Sequence, residues 1–307
     1  MFSEFPGEDR WSVSPRARGL ARGGHSWKRT VRAAHIAARA ERVGIHPAAA
    51  QTRDIVLRIL VSLFVLLCAR TASAQCLGDG VQLFPTPGAI VPINSRFLLE
   101  GVGTAREPVV ALVGKKLRLV ADTHEVEVKA QRGWESSLGR ATVVLKVVGK
   151  LEPDKRYTLR LDEVLPNVTV LNGRGGVGVL PEWNTGKGAD TQPPRWQKRP
   201  AVSEGFLRRT AQGTARFVRL NLSLKEESPA YLVVKLEPRR PGPSVQQYVV
   251  PVHNNTAFIG HEACSGTFAM EDGRSYRARI EAFDAAGHNA PPVPPVDFEA
   301  PADYSAP

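Results

Sequence analysis

The chain lacks an apolar run long enough to cross a lipid bilayer. Its longest such run, Ile59 to Ala69, is about eleven residues, whereas a transmembrane helix needs about twenty. The charged segment Arg53 to Arg58 precedes the run, and the small residues Ala72 and Ala74 follow it. This order is typical of a cleaved secretory signal peptide. We therefore expect an exported protein with no transmembrane segment in its mature chain, which would begin at Gln75.

Strand-like alternation is also missing from the first part of the chain. Residues 1–52 are rich in Arg, Ala, Gly and His, and the signal peptide at 53–74 follows directly. Two interpretations remain open for this segment. It is either an over-extended reading from a start codon placed too early, with initiation near Val56, or a genuine unstructured leader. In both cases it contributes nothing to the fold.

The positive charge of the chain is concentrated in the same part of the sequence. The formal net charge is +11, and a strongly basic protein is a candidate for nucleic-acid binding. Residues 1–74 carry 12 Lys and Arg against 5 Asp and Glu, which leaves a net charge of only +4 on the mature chain. The remaining charges alternate along the sequence. We therefore expect no nucleic-acid partner.

Cysteine is scarce, with three residues in the whole chain. Cys68 lies in the signal peptide, so Cys76 and Cys264 remain. In an oxidising compartment they could form one disulfide, which would close a loop of about 190 residues and contribute on the order of 5 kcal/mol through chain entropy. A lipid anchor at Cys76 is the alternative, although Gln75 stands where lipoprotein signals favour Gly, Ala or Ser.

Amphipathic helical patterns are absent from the mature chain, and the apolar residues between 82 and 300 recur with a period of two. In Phe217 to Leu224, apolar side chains alternate with polar ones, as a half-buried antiparallel strand requires. Denser apolar runs at Pro108 to Val113, Thr142 to Val148 and Tyr231 to Leu236 predict central strands. The pattern indicates an all-β protein.

Turn residues separate the predicted strands at intervals of about 8 to 12 residues, which is typical of sandwiches and barrels. The alternation stops at Thr185 to Pro194, a segment that ends in two prolines and so favours a stiff linker. We predict two tandem β-sandwich domains at 82–188 and 197–300. A linker at 189–196 joins them, and a disordered tail occupies 301–307.

Several turns resemble those of known β-sandwich families. Leu151 to Tyr157 is similar to the L-x-P-x-x-x-Y turn of fibronectin type III and bacterial Ig-like domains, and Met270 to Tyr276 repeats it more loosely. Phe84 to Asn94 and Trp183 to Gly186 resemble the ends of Ig-like domains of the bacterial surface-layer type. Ala282 to Asn289 is similar to the D-x-x-G-N turn of exported Ig-like repeats.

The resemblance implies two antiparallel Ig-like sandwiches, each with a structural corner formed by a tyrosine. At Tyr157 and Tyr276 it implies that the ring enters the core while the hydroxyl binds nearby backbone. It implies no particular function, because such domains serve in adhesion, spacing, carbohydrate binding and assembly.

Motifs for catalysis, cofactors and metals are weak. Gly173 to Gly178 fits G-x-G-x-x-G, but Val179 to Pro181 follows it where a dinucleotide site needs a helix, so a hairpin loop is favoured. The chain has no G-x-S-x-G. Asp284 and Asn289 could bind Ca2+ through oxygen atoms or form an Asx turn. We expect a protein that is not an enzyme and has no cofactor or metal site.

We interpret the chain as an exported Ig-like protein with a structural or interaction role at the cell envelope. It would be periplasmic, surface-bound or secreted, with a protein or polysaccharide partner. The alternative is a carbohydrate-binding accessory module of a secreted system, in which Trp134, Trp183 and Trp196 could stack on sugars instead of packing in the core or linker. Exposed, coplanar aromatic rings on one sheet would distinguish the second function from the first.

The signal pattern generates the first testable prediction. Exported material should begin at Gln75 or within about two residues of it, because the small residues at positions 72 and 74 place the cleavage there. N-terminal sequencing of protein recovered outside the cytoplasm measures this directly. An N-terminus at Met1 would contradict both the export signal and the interpretation that initiation occurs near Val56.

Overall fold

The computed structural model describes residues 79–122, 124–171, 178–210, 213–262 and 266–303. The predicted leader, the signal peptide, Cys76, Cys264 and most of the G-x-G-x-x-G segment lie outside these residues. No described helix is both long and apolar enough to span a membrane.

The described residues are mainly β-strands, which confirms the all-β prediction. They form β1 (Gly80–Phe84), β2 (Ile90–Val91), β3 (Arg96–Val102), helix α1 (Arg106–Val110), β4 (Lys116–Ala121), β5 (His124–Glu135), β6 (Arg140–Val147), β7 (Arg156–Leu159), β8 (Glu182–Thr185), β9 (Arg195–Thr210), β10 (Gly213–Lys225), β11 (Ala230–Pro238), β12 (Gln246–Pro251), β13 (Thr256–His261), β14 (Ser275–Asp284) and β15 (Val296–Glu299).

Strands β1 to β8 belong to one eight-stranded sheet with the order β1-β3-β6-β5-β4-β7-β8-β2. Neighbouring strands are antiparallel except β2 and β8. On β5, Val126, Val128 and Ala130 are buried and alternate with more exposed polar residues. These side chains and those of the neighbouring strands form one apolar cluster, the N-terminal core, which also contains Trp183 of β8. The eight-stranded sheet therefore encloses a core of its own.

Strands β9 to β15 form a three-stranded sheet, β13-β10-β9, and a four-stranded sheet, β12-β11-β14-β15. The predicted alternation on β10 is confirmed, because Val218, Leu220, Leu222 and Leu224 are all buried. They meet buried side chains of β11 and β14 in a second cluster, the C-terminal core. The two sheets thus bury their apolar faces against each other.

Of the three apolar runs predicted to be central strands, two are strands and one is not. The runs at Thr142 to Val148 and Tyr231 to Leu236 fall on β6 and β11, which have neighbours on both sides. The run at Pro108 to Val113 is not a strand, because Arg106–Val110 is helical and a turn follows. Val109 and Leu112 are fully buried, three residues apart as on one helix face, whereas Val113 is exposed. Proline is tolerated in the first turn of a helix, where its missing N–H has no partner to lose.

The segment predicted as a linker makes defined contacts. Strand β9 begins at Arg195, so the last two residues of this segment, Arg195 and Trp196, belong to a strand. Asn94 binds the backbone of the same segment. Its side-chain N–H donates to the Asp190 carbonyl at 2.7 Å, and its side-chain oxygen accepts from the Asp190 N–H at 2.9 Å. In the predicted tail, residues 301–303 are also held, because Arg216 Nε donates to the Pro301 carbonyl at 2.9 Å.

Apolar contacts join the eight-stranded sheet to the C-terminal sheets. Phe84 and Leu98, which lie on β1 and β3, belong to the C-terminal core rather than to the N-terminal one. The ring of Phe84 meets the ring of Tyr231 edge-on, with centroids 5.6 Å apart. The hydrophobic effect therefore favours association of the two parts of the fold.

A buried polar network crosses the same junction. The Tyr248 hydroxyl donates to Glu100 Oε1 at 2.8 Å and accepts from the Thr142 hydroxyl at 2.9 Å. Arg140 pairs with the other Glu100 oxygen at 3.1 Å. The pKa of Tyr248 lies well above its ordinary value, first because burial disfavours the phenolate and then because Glu100 is near. Tyr248 is therefore a neutral hydroxyl that links β12 to β3 and β6.

Two buried tyrosines occupy equivalent turns. Tyr157 is fully buried, and its hydroxyl accepts a hydrogen bond from the Glu152 N–H at 3.0 Å. Tyr276 is also fully buried, and its hydroxyl accepts from the Glu271 N–H at 2.9 Å. Each bond spans five residues and ties a strand to the turn before it.

These two hydrogen bonds generate a stability prediction. Tyr157→Phe and Tyr276→Phe should each lower the free energy of unfolding by about 1 kcal/mol, and by more where the backbone N–H stays buried without a partner. Chemical denaturation of the mature protein measures the loss. Tyr231→Phe is the matched control, because the Tyr231 hydroxyl makes no hydrogen bond to another described residue. Equal stability of all three variants and the wild type would rule out a structural corner at either tyrosine.

Candidate functional site

A cleft with a volume of about 620 Å3 lies where the linker meets the loop between β10 and β11. Acidic and basic side chains share its wall, with Asp190 and Glu226 on the acidic side and Arg195 and Lys225 on the basic side. The linker brings Asp190 here, and the loop brings Glu226. Both are far in sequence from the turn after β14, which supplies the remaining charged groups nearby.

Asp284 ends β14 and is fully buried. Its Oδ1 atom accepts hydrogen bonds from the Gly287 N–H at 2.7 Å and the His288 N–H at 2.9 Å. Its Oδ2 atom lies 2.8 Å from His288 Nδ1. Gly287 has a φ of 91° and lies against Arg96, where a Cβ atom would come within 2.4 Å of the guanidinium carbon. The turn therefore requires glycine, and its backbone compensates the buried carboxylate.

Asp190 is held by similar interactions on the linker. Its Oδ1 atom accepts from the Gln192 N–H at 3.0 Å, and its Oδ2 atom accepts from the Ser228 hydroxyl. The bond to Ser228 crosses from the linker to the loop after β10. Asp190 therefore fixes the position of this loop as well as that of the linker.

Asp190, Asp284 and His288 are the described residues whose ligand-type atoms come close enough to hold one metal ion, within 4.8 Å of one another. Carboxylate oxygens and an imidazole nitrogen are ligands for divalent cations. The protein itself already supplies a partner to every carboxylate oxygen of the group, as described above. The bonds of Asp190 hold the linker and the loop after β10, and those of Asp284 hold its own turn. Each carboxylate therefore has a structural role without a bound ion.

Sequence reasoning found part of this cluster. It singled out Asp284, for which the structure shows the Asx-type turn, and Asn289, whose backbone bridges to Phe283. It did not find Asp190 or Glu226, because no spacing or motif connects residues that the tertiary fold brings together. The only signal available was the pair of adjacent carboxylates, Glu226 and Glu227, in the loop.

The surroundings of Glu226 disfavour its ionised form. The pKa of Glu226 is raised, first because partial burial removes water from its carboxylate and then because Asp190 and Asp284 lie near it. Hydrogen bonds from the Ser228 and Glu227 N–H groups oppose this effect. Ionisation of Glu226 therefore destabilises the folded state.

The three tryptophans considered for sugar binding do not share a surface. Trp183 is buried in the N-terminal core, and its indole N–H donates to the Pro85 carbonyl at 2.8 Å. Trp196 is half-buried against the C-terminal core, and its N–H donates to the Pro291 carbonyl at 3.1 Å. Trp134 is half-buried and lines a separate small groove. They do not form an exposed platform.

Comparison with known proteins gives no family assignment. No family model matches the chain, and no curated protein matches it. Type I pullulanase from Bacillus subtilis str. 168, crystallised with maltose, is 10% identical over 67% of this chain and 23% of that one, with a TM-score of 0.22. The FN1–FN3 domains of chicken CNTN1 are 12% identical over 74% of this chain and 65% of that one, with a TM-score of 0.24.

A third solved structure, the N-terminal part of the bacterial S-layer protein SbsC, is 7% identical over 72% of this chain and 44% of that one, with a TM-score of 0.23. The chain spans less than two thirds of the length of each of the three. Similarities of this size establish no function for the chain.

The buried carboxylate of Asp284 generates a prediction. Asp284→Ala leaves two backbone N–H groups of the turn without their acceptor, so the free energy of unfolding should fall by about 2 to 3 kcal/mol. Asp162→Ala is the control, since Asp162 is exposed and forms only a surface ion pair with Arg160, which contributes about 0 to 1 kcal/mol. Urea denaturation compares the two. A loss no larger for Asp284→Ala than for Asp162→Ala would show that the turn does not depend on the carboxylate.

Glu226 generates a prediction about pH. Because its pKa is raised in the folded state, its contribution to stability is fully present below its unfolded pKa and is lost as the pH rises through the folded value. Glu226→Gln keeps an oxygen that can accept the two backbone hydrogen bonds and removes the charge. This variant should be more stable than the wild type at pH 7, and the difference should shrink at pH 4. Denaturation at the two pH values measures the change, and a variant less stable at pH 7 would contradict it.

Proposed function

We propose that this is an exported, non-enzymatic protein of two Ig-like β-sandwiches with a structural or interaction role at the cell envelope. The sandwiches would correspond to the predicted domains at 82–188 and 197–300. The observation that carries the proposal is the buried junction, in which polar and apolar contacts hold the two parts of the fold in one arrangement. A rigid pair of domains suits a protein that positions a partner at a surface.

The separate cores support the assignment of two domains. A single sheet can bury a shared core only if it folds over on itself, so the two ends of the eight-stranded sheet must face each other as two layers would. A backbone bridge between Val81 and Val170 draws β1 toward the other side of this sheet. The three- and four-stranded sheets supply the two layers of the second domain. Each domain also contains one of the two buried corner tyrosines.

The junction supports a rigid arrangement because polar groups cannot be buried without partners at low cost. Tyr248 is buried in the second domain, and its two hydrogen-bond partners, Glu100 and Thr142, come from the first. The Ser136 hydroxyl adds a further bond across the junction, to the Gly266 carbonyl at 2.8 Å. Rotating one domain against the other would break all of these bonds together.

The alternative function, a carbohydrate-binding accessory module, also has one observation in its favour. Although the tryptophans form no platform, Phe206 of β9 is 37% exposed and lies on the side of the three-stranded sheet that faces away from the core. A binding function could therefore use this sheet face, and the partner would be a polysaccharide rather than a protein.

Two measurements test the proposed function. Fractionation of cells that express the full chain should place the mature protein outside the cytoplasm. Thermal unfolding of the mature protein should show one cooperative transition, because the junction couples the domains. Tyr248→Ala should split this transition or lower its midpoint, whereas Val245→Ala, at a position 51% exposed just before β12, should leave it unchanged. A cytoplasmic protein, or a wild type that unfolds in two independent steps, would overturn the proposal.

A further inference from the structure

The three-stranded sheet has a side that faces away from the C-terminal core, here called the outer face. Because Val218, Leu220 and Leu222 of β10 are buried in the core, the residues between them point outward. Directly paired residues of neighbouring antiparallel strands lie on the same face. The register of β9 with β10 and of β13 with β10 therefore assigns each paired residue of the three strands to one side or the other. Register shifts in β9 leave a few of its residues, such as Arg199 and Ser203, without a directly paired residue on β10.

This register gathers cations on the outer face. Arg195 pairs with Lys225, Lys198 pairs with Ser223, and Arg208 pairs with Ala215. Arg219 lies on the same face and forms an ion pair with Glu204 at 2.9 Å. Glu204 is the one carboxylate that the register places here among the described residues of the three strands. The other four cations are exposed and form no ion pair with a described residue.

An apolar patch lies among these cations. The register pairs Phe206 of β9 with Phe217 of β10, and Phe258 of β13 with Arg219. The rings of Phe206 and Phe258 have centroids 6.3 Å apart. Phe206 is 37% exposed, although an aromatic side chain gains free energy when it is covered. The outer face thus offers aromatic surface and positive charge side by side.

We propose that the outer face binds an anionic polysaccharide, a linear polymer whose sugar rings carry carboxylate or phosphate groups. Complementary charge identifies the class of partner, since Lys198 and Arg208 are exposed and form no ion pair with a described carboxylate. Arg195 and Lys225 add positive charge at one end of the face, where they also line the cleft that contains Asp190 and Glu226. A second copy of this chain does not fit, because its outer face would bring like charges together. The identification of the polymer as a polysaccharide rests on the proposed export, which would expose the face to envelope polymers.

The dimensions of the face suit an extended chain. Strand β9 has 16 residues and would span about 50 Å at about 3.3 Å per residue. Its outward cations lie at both ends of this length, and the phenylalanine patch lies between Arg219 and Arg208. Sugar rings have an apolar side that can cover an aromatic ring, while their anionic groups reach the flanking cations. The cations favour a charged polysaccharide over a neutral one, and the aromatic patch favours a polysaccharide over a simple anion.

The test measures binding of the mature protein to three polymers at low and high salt. Alginate supplies carboxylates on sugar rings, phosphorylated dextran supplies phosphates on sugar rings, and unmodified dextran is the neutral control. Binding to at least one anionic polymer, weakened in 0.5 M salt as screening requires, supports the proposal and shows which anionic group is preferred. Absence of binding to both, or equal binding to dextran, overturns it. Tighter binding to single-stranded DNA than to either anionic polymer also overturns it, in favour of a nucleic-acid partner.

Variants locate the binding surface. Lys198→Glu combined with Arg208→Glu should weaken binding at least tenfold. Arg132→Glu combined with Arg156→Glu is the matched control, because it makes the same change in net charge at exposed positions of the eight-stranded sheet. An equal loss in the control would assign binding to overall charge and overturn the proposal. Unchanged thermal unfolding of each variant shows that its fold is intact.

Phe206→Ala separates the aromatic contribution from the charge. It should weaken binding several-fold without changing the salt dependence, and no loss in this variant would remove the aromatic patch from the proposed surface. Binding is measured with purified protein, so it does not depend on where the cell places the chain. A cytoplasmic location would therefore overturn the proposed function while the binding result stands by itself.

Discussion

The arrangement of the two parts of the fold depends on burying one hydroxyl group. Tyr248 belongs to the C-terminal sheets, but the groups that satisfy its hydroxyl, Glu100 and Thr142, belong to the eight-stranded sheet. An unpaired hydroxyl at this depth would cost on the order of 1 to 3 kcal/mol. Apolar contact between the two parts is tolerant of sliding, whereas this hydrogen-bond geometry is not. The polar network therefore selects one of the many arrangements that the apolar contacts would allow.

The acidic cluster at the linker is a second consequence of bringing the two parts together. Once β3 and the turn after β14 are joined by the Arg96 N–H and the Ala285 carbonyl at 2.6 Å, the linker must pass close to that turn. Its Asp190 then lies near Asp284 and Glu226, and their mutual repulsion opposes folding. Backbone N–H groups and the Ser228 hydroxyl offset this repulsion. The cluster thus shows how local hydrogen bonds can stabilise charges that the chain path forces together.

The sequence predicted the parts of the fold that depend on local periodicity. The faces of β10 followed from alternation between Phe217 and Leu224, because successive side chains of a strand point to opposite sides. Helix α1 was missed, since an apolar run of five or six residues fits a buried strand and a short helix equally well. The cleft residues Asp190 and Glu226 could not be identified, because their proximity arises from packing. The cations of the outer face are dispersed along β9 and β10 in the sequence, yet strand pairing places them on one face.

The position of β9 at the edge of its sheet gives its charges a further role. An edge strand exposes unpaired N–H and C=O groups and is a template for the strands of other molecules, which is a common route to aggregation. Lysine and arginine along such an edge disfavour the approach of a second copy, because extension of the sheet would bury their charges or place them side by side. Copies of the protein at high concentration would therefore remain separate from one another. Neutralising these residues should therefore make the chain more prone to self-association through β9.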